Sequence, residues 1–299
     1  MEILKIEYLK KRFGDKEVLK GVEMTVPEHS VFGFIGRNGA GKTTTMKTVL
    51  GLLKPDEGDI YVAGEKVIYG QTATNRHIGY LPDVPEFYPF MTAREYLSFC
   101  GRLNGMSREE CRKRSEELLE TVGLAGETHR IRGFSRGMKQ RLGIAQALMN
   151  RPKLLICDEP TSALDPVGRK EILDLLSAVR EQTTVLFSTH ILSDVERICT
   201  DLAFLNDGKA EIQGSVAEIR ARCRTEEYRL ELEKEEDGVR LLSAFPQLQK
   251  ADNAQFVFRG QETLLFELLK EIAEQKIPVR RIEKEEPSLE RVFLEVVEP

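Results

Sequence analysis

The segment from Val31 to Thr44 constrains this chain more than any other. An apolar run, Val31-Phe32-Gly33-Phe34-Ile35, leads into Gly36-Arg37-Asn38-Gly39-Ala40-Gly41-Lys42-Thr43-Thr44, and helix-like sequence follows to Leu53. Buried strand, glycine loop and helix in that order are what a phosphate-binding loop of the form G-x-x-x-x-G-K-[ST] requires. Glycines let successive backbone N–H groups curl round an anion without Cβ clashes. A helix beginning near Lys42 adds a positive partial charge of about +0.5 at the same point. Lys42 can then reach the β- and γ-phosphates of a nucleotide while the Thr43 hydroxyl ligates Mg²⁺.

A second apolar run, Leu154-Leu155-Ile156-Cys157, ends in Asp158-Glu159. A buried strand that delivers an acid at its C-terminal end supplies the second Mg²⁺ contact of such enzymes. Glu159, one residue further on, is suitably placed to polarise a water for attack on a γ-phosphate. Lys42 and Asp158 are 116 residues apart, more than a minimal nucleotide core needs. Thr92–Glu95 and Ser107–Glu110 read as capping boxes that open two helices. The first has Ala93, Tyr96, Leu97, Cys100 and Leu103 on one face, the second Cys111, Leu118, Leu119 and Val122. Phe134–Met138 then precedes a basic amphipathic helix from Lys139 to Asn150. Ahead of the loop, residues 1–31 alternate as strands around a turn at Gly14-Asp15.

With 299 residues the chain is long enough for about two domains. Residues 221–299 hold 13 basic and 18 acidic side chains, leaving 31 of each in residues 1–220, so the whole net charge of −5 belongs to the last third. The longest uncharged stretch, Gln182–Ser193, is twelve residues, shorter than a membrane-spanning helix. The N-terminus lacks the apolar core of a secretion signal. Cys100, Cys111, Cys157, Cys199 and Cys223 form no CxxC pair and read as reduced, cytoplasmic thiols. No basic excess points to nucleic acid.

Taken together, these residues resemble the ATP-binding-cassette (ABC) family. Gly36–Thr44 is similar to its Walker A loop, Leu154–Glu159 to its Walker B strand, and Phe134–Met138 with Lys139-Gln140-Arg141 to its signature segment. Ser162–Asp165 resembles its D-loop and Ser188-Thr189-His190 its switch histidine. The resemblance implies a P-loop NTPase α/β core with an antiparallel β subdomain, in an ATP-binding domain over residues 1–213. It also implies a helical subdomain over about 84–150. Phe13 stands where the family stacks an aromatic ring on adenine, the alternative being a core Phe beside the hairpin. The resemblance further implies two copies docked head to tail with ATP and Mg²⁺ between them. Lys42 of one copy then faces Ser135, Arg136, Gly137 and Met138 of the other, with Glu159 and His190 catalytic and Thr43 and Asp158 on the metal.

Two departures from the family pattern matter. Arg136 replaces the first glycine of the usual signature, either to pair with the γ-phosphate of the other copy or to face solvent. Asp83 stands where the family has its Q-loop glutamine, and a carboxylate there can ligate Mg²⁺ or hold a water. Together with Ser288–Leu294, these features resemble the ATP-binding subunits of drug and antibiotic exporters, whose integral membrane permease is a separate chain. Such a subunit is peripheral on the inner face of the cell membrane. Phe87-Tyr88-Pro89-Phe90-Met91 would then receive a permease helix or else cover the insertion's own core. A soluble regulatory or nucleic-acid cassette and a small-molecule kinase are the competing readings. The first lacks its usual coiled coil or second P-loop, and the second leaves the signature unexplained.

Residues 221–299 read as a small α+β domain without catalytic motifs. Strands are expected at Tyr228–Glu233, Ala254–Phe258 and Ile277–Ile282, with an acidic turn at Glu235–Gly238 and a short helix to Phe245. Leu264, Leu265, Leu268, Leu269 and Ile272 mark another helix, and Ser288 opens a last one with Leu289, Val292, Phe293 and Val296.

Overall fold

A computed structural model describes residues 1–71, 73–222, 227–285 and 289–297. The chain divides into two compact units, the first of Met1–Ala217 with the C-terminal Val296–Pro299 and the second of Glu218–Glu295.

The first unit opens with the antiparallel hairpin β1 (Glu2–Phe13) and β2 (Lys16–Pro27), turning at Gly14-Asp15. Leu4, Ile6 and Leu9 all face the core although their spacing breaks the period of two. A bulge between Ile6 and Leu9, with Tyr8 at φ 48°, restores Leu9 to the inner face. Strand β3 (Val31–Ile35) is buried throughout and passes through the glycine loop into α1 (Lys42–Val49). That helix ends short of Leu53, because Leu50 caps it and Gly51 turns left-handed at φ 69°. Strands β4 (Glu57–Val62) and β5 (Glu65–Lys66) return to β1, giving the sheet order β2-β1-β4-β5.

After β6 (Ile78–Leu81) come α2 (Ala93–Leu103), α3 (Arg108–Thr121) and α4 (Arg136–Ala147). Both capping boxes form as expected. Leu103, at the margin of the α2 stripe, is exposed instead of packed, and Gly101 takes the inward place against Met149 and Cys111. Helix α4 begins at Arg136, three residues before the expected start. Ser135 is its N-cap, accepting from the Met138 N–H at 3.2 Å, so the signature segment is the first turn itself. The body of α4 lies close on β6. A Cβ on Gly79 would come within 2.2 Å of the Ala147 carbonyl oxygen, and one on Gly143 within 2.5 Å of the Leu81 side chain.

The remaining elements of this unit are β7 (Leu154–Asp158), α5 (Pro166–Val179), β8 (Thr184–Thr189), α6 (Leu192–Ile198), β9 (Asp201–Asn206) and β10 (Lys209–Ser215). A six-stranded sheet runs β10-β9-β3-β8-β7-β6, parallel except for the antiparallel edge strand β10. Strands β3, β8 and β7 are neighbours, so their C-terminal ends deliver three loops to one edge, where open α/β sheets bind ligands. One apolar core takes residues from both sheets and from α1: Leu4, Met24 and Ile60, Met46 and Val49, and Phe32, Ile156 and Leu186 belong to the same cluster.

Helix α7 (Val216–Arg222) spans the boundary. The second unit contains β11 (Glu227–Leu232), α8 (Glu235–Leu242), β12 (Leu248–Asp252), β13 (Gln255–Arg259), α9 (Glu262–Glu274), β14 (Val279–Lys284) and all but the last two residues of α10 (Leu289–Val297). Its antiparallel sheet runs β12-β13-β11-β14 around a core of Leu230, Leu241, Phe256, Phe258, Leu268 and Ile272. The acidic residues from Glu235 form the first turn of α8 and no separate turn, as the helix dipole favours. Strand β12 has one buried residue, Leu248, and so left no alternating pattern to read. Cys223 and the Ser288 start of the last helix lie outside the described residues; Cys100, Cys111, Cys157 and Cys199 are free thiols. No helix among the described residues is long and apolar enough to cross a membrane.

Candidate active site

A cleft of about 520 Å³ lies at the C-terminal edge of the six-stranded sheet. Its walls include Phe13, Asn38, Gly39, Lys42, Thr43, Asp83, Asp158 and Glu159, with Gly41 and Thr44 also bordering it. The glycine loop fits there because side chains would not. Gly36 packs so closely that a Cβ would meet the Leu205 carbonyl oxygen at 2.6 Å, and Gly41, the N-cap of α1, has φ 112°. Arg37 and Ala40 complete the loop, closed by the Ala40 N–H donating to the Arg37 carbonyl at 3.1 Å.

Lys42 is buried, and its Nζ donates to the Gly36 carbonyl at 2.7 Å. The same ammonium lies 3.1 Å from Glu159 Oε1, an ion pair outside hydrogen-bond geometry, so that oxygen has no donor among the described residues. A buried carboxylate oxygen that retains its accepting capacity beside a lysine is suited to a polarised water or a phosphate-bound proton. The other oxygen, Oε2, is 3.0 Å from His190 Nδ1, and the His190 ring is half-exposed.

Asp158 is buried at the end of β7. Its Oδ2 accepts from Thr43 Oγ1 at 2.8 Å and its Oδ1 from Ser188 Oγ at 2.6 Å. No group of three or more His, Cys, Asp or Glu among the described residues could hold a metal unaided. Two hard oxygens, from Thr43 and Asp158, nevertheless fit Mg²⁺ of the kind held partly by protein and partly by substrate phosphates. Burial and the nearby Asp158 charge push the Tyr80 phenol on β6 up to about 12.

Phe13 is 48% exposed at the cleft wall, so it is no core residue; Lys11 Nζ sits 5.5 Å from its ring centre. Asp83 reaches the same cleft, and its Oδ1 is buried without a hydrogen-bond donor among the described residues, with Arg136 Nη2 3.9 Å away. Within one chain, however, Ser135, Arg136, Gly137 and Met138 do not line the cleft. Ser135 and Arg136 are exposed at the N-terminus of α4, and Arg136 borders another cavity, of about 490 Å³, with Phe87 and Gln140. Gln140 Nε2 donates to the Asp83 carbonyl at 2.9 Å. The aromatic run is shared: Phe87 packs edge-on against Tyr96 at 5.1 Å and Tyr88 against Phe99 at 5.7 Å, while about half of Tyr88 and more of Phe90 stay exposed.

Ser188 had not been singled out as a site residue. It pairs in register with Asp158 across β7 and β8, donates to that carboxylate, and accepts the Glu159 N–H at 3.0 Å. One hydroxyl thereby orients both acids, and Glu159 itself holds a left-handed backbone at φ 47°. A buried serine at the end of an apolar strand, two residues before the histidine, was the available signal.

Residues 19–162 match a family described as ABC transporter, and residues 214–297 match the C-terminal domain of ATP-binding protein DrrA1-3-like. The chain is 40% identical to the uncharacterized ABC transporter ATP-binding protein YxlF of Bacillus subtilis, over 99% of each chain. It is 41% identical to the bacitracin transport ATP-binding protein BcrA of Bacillus licheniformis, over 69% of this chain and 68% of that one. Among solved structures, cbiO1 from Clostridium perfringens, described as part of the ABC transporter complex cbiONQ, superposes with a TM-score of 0.68 at 28% identity. That match covers 81% of this chain and 95% of the other. With the likeness to YxlF running over nearly its whole length, the chain belongs to the ABC transporter ATP-binding proteins.

Proposed function

We propose that this chain binds and hydrolyses ATP to drive a separate membrane permease of an exporter, working as a head-to-tail dimer. The observation that carries the reading is the convergence on one cleft of Lys42, Thr43, Asp158 and Glu159, with His190 on the Glu159 carboxylate. Backbone N–H groups of Gly39 to Thr43 cradle the β- and γ-phosphates, and Lys42 turns from the Gly36 carbonyl toward them. Thr43 and Asp158 would hold Mg²⁺, which neutralises phosphate charge when bound. Glu159 accepts a proton from the attacking water through its free Oε1, and His190 holds the carboxylate by Oε2 while reaching for the γ-phosphate.

Ser135, Arg136, Gly137 and Met138 act in trans. Ser135 and Arg136 are exposed, and Gly137 and Met138 half-buried, at the start of a twelve-residue helix whose N–H groups form an anion site for the second copy's nucleotide. ATP then joins the two half-sites, and hydrolysis releases them. The exposed rings of Tyr88 and Phe90 suit a permease helix, which would hold the subunit at the inner face of the membrane. The bacitracin relative supports transport as the use of the energy. We take residues 221–299 as an accessory module that nucleotide binding does not require.

Glu159→Gln should keep ATP affinity while turnover falls by about 10²-fold or more, the usual contribution of a general base. It should also trap an ATP-bound dimer in light scattering. A monomer at saturating ATP would contradict the dimer.

A further inference from the structure

One buried carboxylate outside the cleft gathers side chains from three separate segments. Asp194 is 2% exposed, in the first turn of α6 and four residues beyond His190. Both of its oxygens are engaged: Oδ2 accepts from Thr161 Oγ1 at 2.8 Å and Oδ1 from Arg169 Nε at 2.6 Å. Arg169 Nη2 also donates to Ser193 Oγ at 3.1 Å. Thr161 is buried two residues after Glu159, in the segment joining β7 to α5, and Arg169 lies in the first turns of α5. A single carboxylate therefore ties the catalytic strand end, the helix after the D-loop and the helix after the switch histidine.

The segment it grips needs such a tie. Glu159 at φ 47° and Ala163 at φ 51° are left-handed non-glycine residues, a conformation that persists only where the surroundings impose it. The segment's own backbone bonds are local, Ser162 N–H to the Glu159 carbonyl at 3.0 Å and Leu164 N–H to the Thr161 carbonyl at 3.3 Å. Neither anchors it to the β8–α6 corner that carries His190. Ser188 does so at Glu159, and Asp194 does so at Thr161. A desolvated, charged acceptor with two donors is a stiff link.

We propose that Asp194 is a positioning residue that keeps His190 on the Glu159 carboxylate by clamping the 159–165 segment and α5 to α6. It touches no nucleotide and acts only through the 3.0 Å contact between His190 and Glu159. The inference rests on the ATPase reading above and names a further determinant of that same site.

Two variants test it, each removing one bond with little change of volume: Asp194→Asn weakens the link to Arg169, and Thr161→Val removes the hydroxyl donor. In each, kcat for ATP hydrolysis should fall about tenfold or more while KM for ATP stays within about threefold, because the phosphate loop is untouched. In a His190→Ala background, single-turnover rates should change by less than about twofold on adding Asp194→Asn, because the contact it serves is already gone. Native kcat in both single variants, or an undiminished further loss in the His190→Ala background, would overturn the clamp. A native chain that hydrolyses no ATP would instead sink the ATPase reading, so the two failures are distinguishable.

Discussion

Every buried polar or charged side chain among the described residues lies between Ser30 and Asp194, in the first unit. There Lys42, Asp158 and Asp194 are taken out of water and satisfied by a backbone carbonyl, by the hydroxyls of Thr43, Ser188 and Thr161, and by the charged partners Glu159 and Arg169. In the second unit the described core is apolar. Its charges form pairs such as Arg229 with Glu285 and Arg280 with Glu231, at least one partner of each being well exposed. Desolvated charge is costly unless it is paired, so a fold keeps it where chemistry uses it. The excess of acidic side chains in the last third is therefore a solvated surface and says nothing about the cleft.

That contrast can be broken from either side. The largest expected effect is on folding: Phe256→Ala, which empties a fully buried position, should destabilise the second unit by about 3–5 kcal/mol. ATP affinity should not move with it, and a parallel loss of affinity in calorimetry would contradict the independence of the units. Lys42→Ala should cost about 10²-fold in ATP affinity, the scale for removing one partner of a buried charged contact. An unchanged isotherm would sink the phosphate-loop assignment. Smaller still, Asp83→Ala should raise the Mg²⁺ concentration for half-maximal turnover by about threefold, since one charge-assisted contact at a partly exposed site is at stake. Native Mg²⁺ dependence would mean that this carboxylate takes no part. The smallest is Arg229→Ala in the second unit, where an exposed ion pair should change stability by less than about 1 kcal/mol. A larger shift in the thermal midpoint would show that the outer charges carry more of that unit than their exposure implies.

The elements most legible in the sequence were those whose local chemistry is self-sufficient. Thr92 with Glu95 and Ser107 with Glu110 fix helix starts within four residues, and the glycine loop carries its own geometry. The start of α4 was misread because Ser135 caps it without a reciprocal acid, and the end of α1 because Leu52 and Leu53 continue an apolar pattern past the Gly51 break. Strand β12 depends on pairing with β13, which no local pattern encodes. Around the cleft, Lys42, Asp158 and Glu159 lie together as motif and spacing lead one to expect. The contacts of Ser188, Thr161 and Asp194 leave no such trace, because a buried serine, threonine or aspartate reads as ordinary until the contact that satisfies it is known.

The close seating of α4 on β6 has a mechanical side. Gly79 lets the strand meet the Ala147 carbonyl directly, Gly143 seats the helix on the Leu81 and Pro85 side chains, and Gln140 grips the Asp83 carbonyl further toward the start of the helix. A rod clamped at three points along its length transmits tilt without bending. Any rotation of the segment that begins at Asp83 must therefore swing the Ser135 tip through a proportionate arc, and force applied at that tip must return along the same lever to the strand.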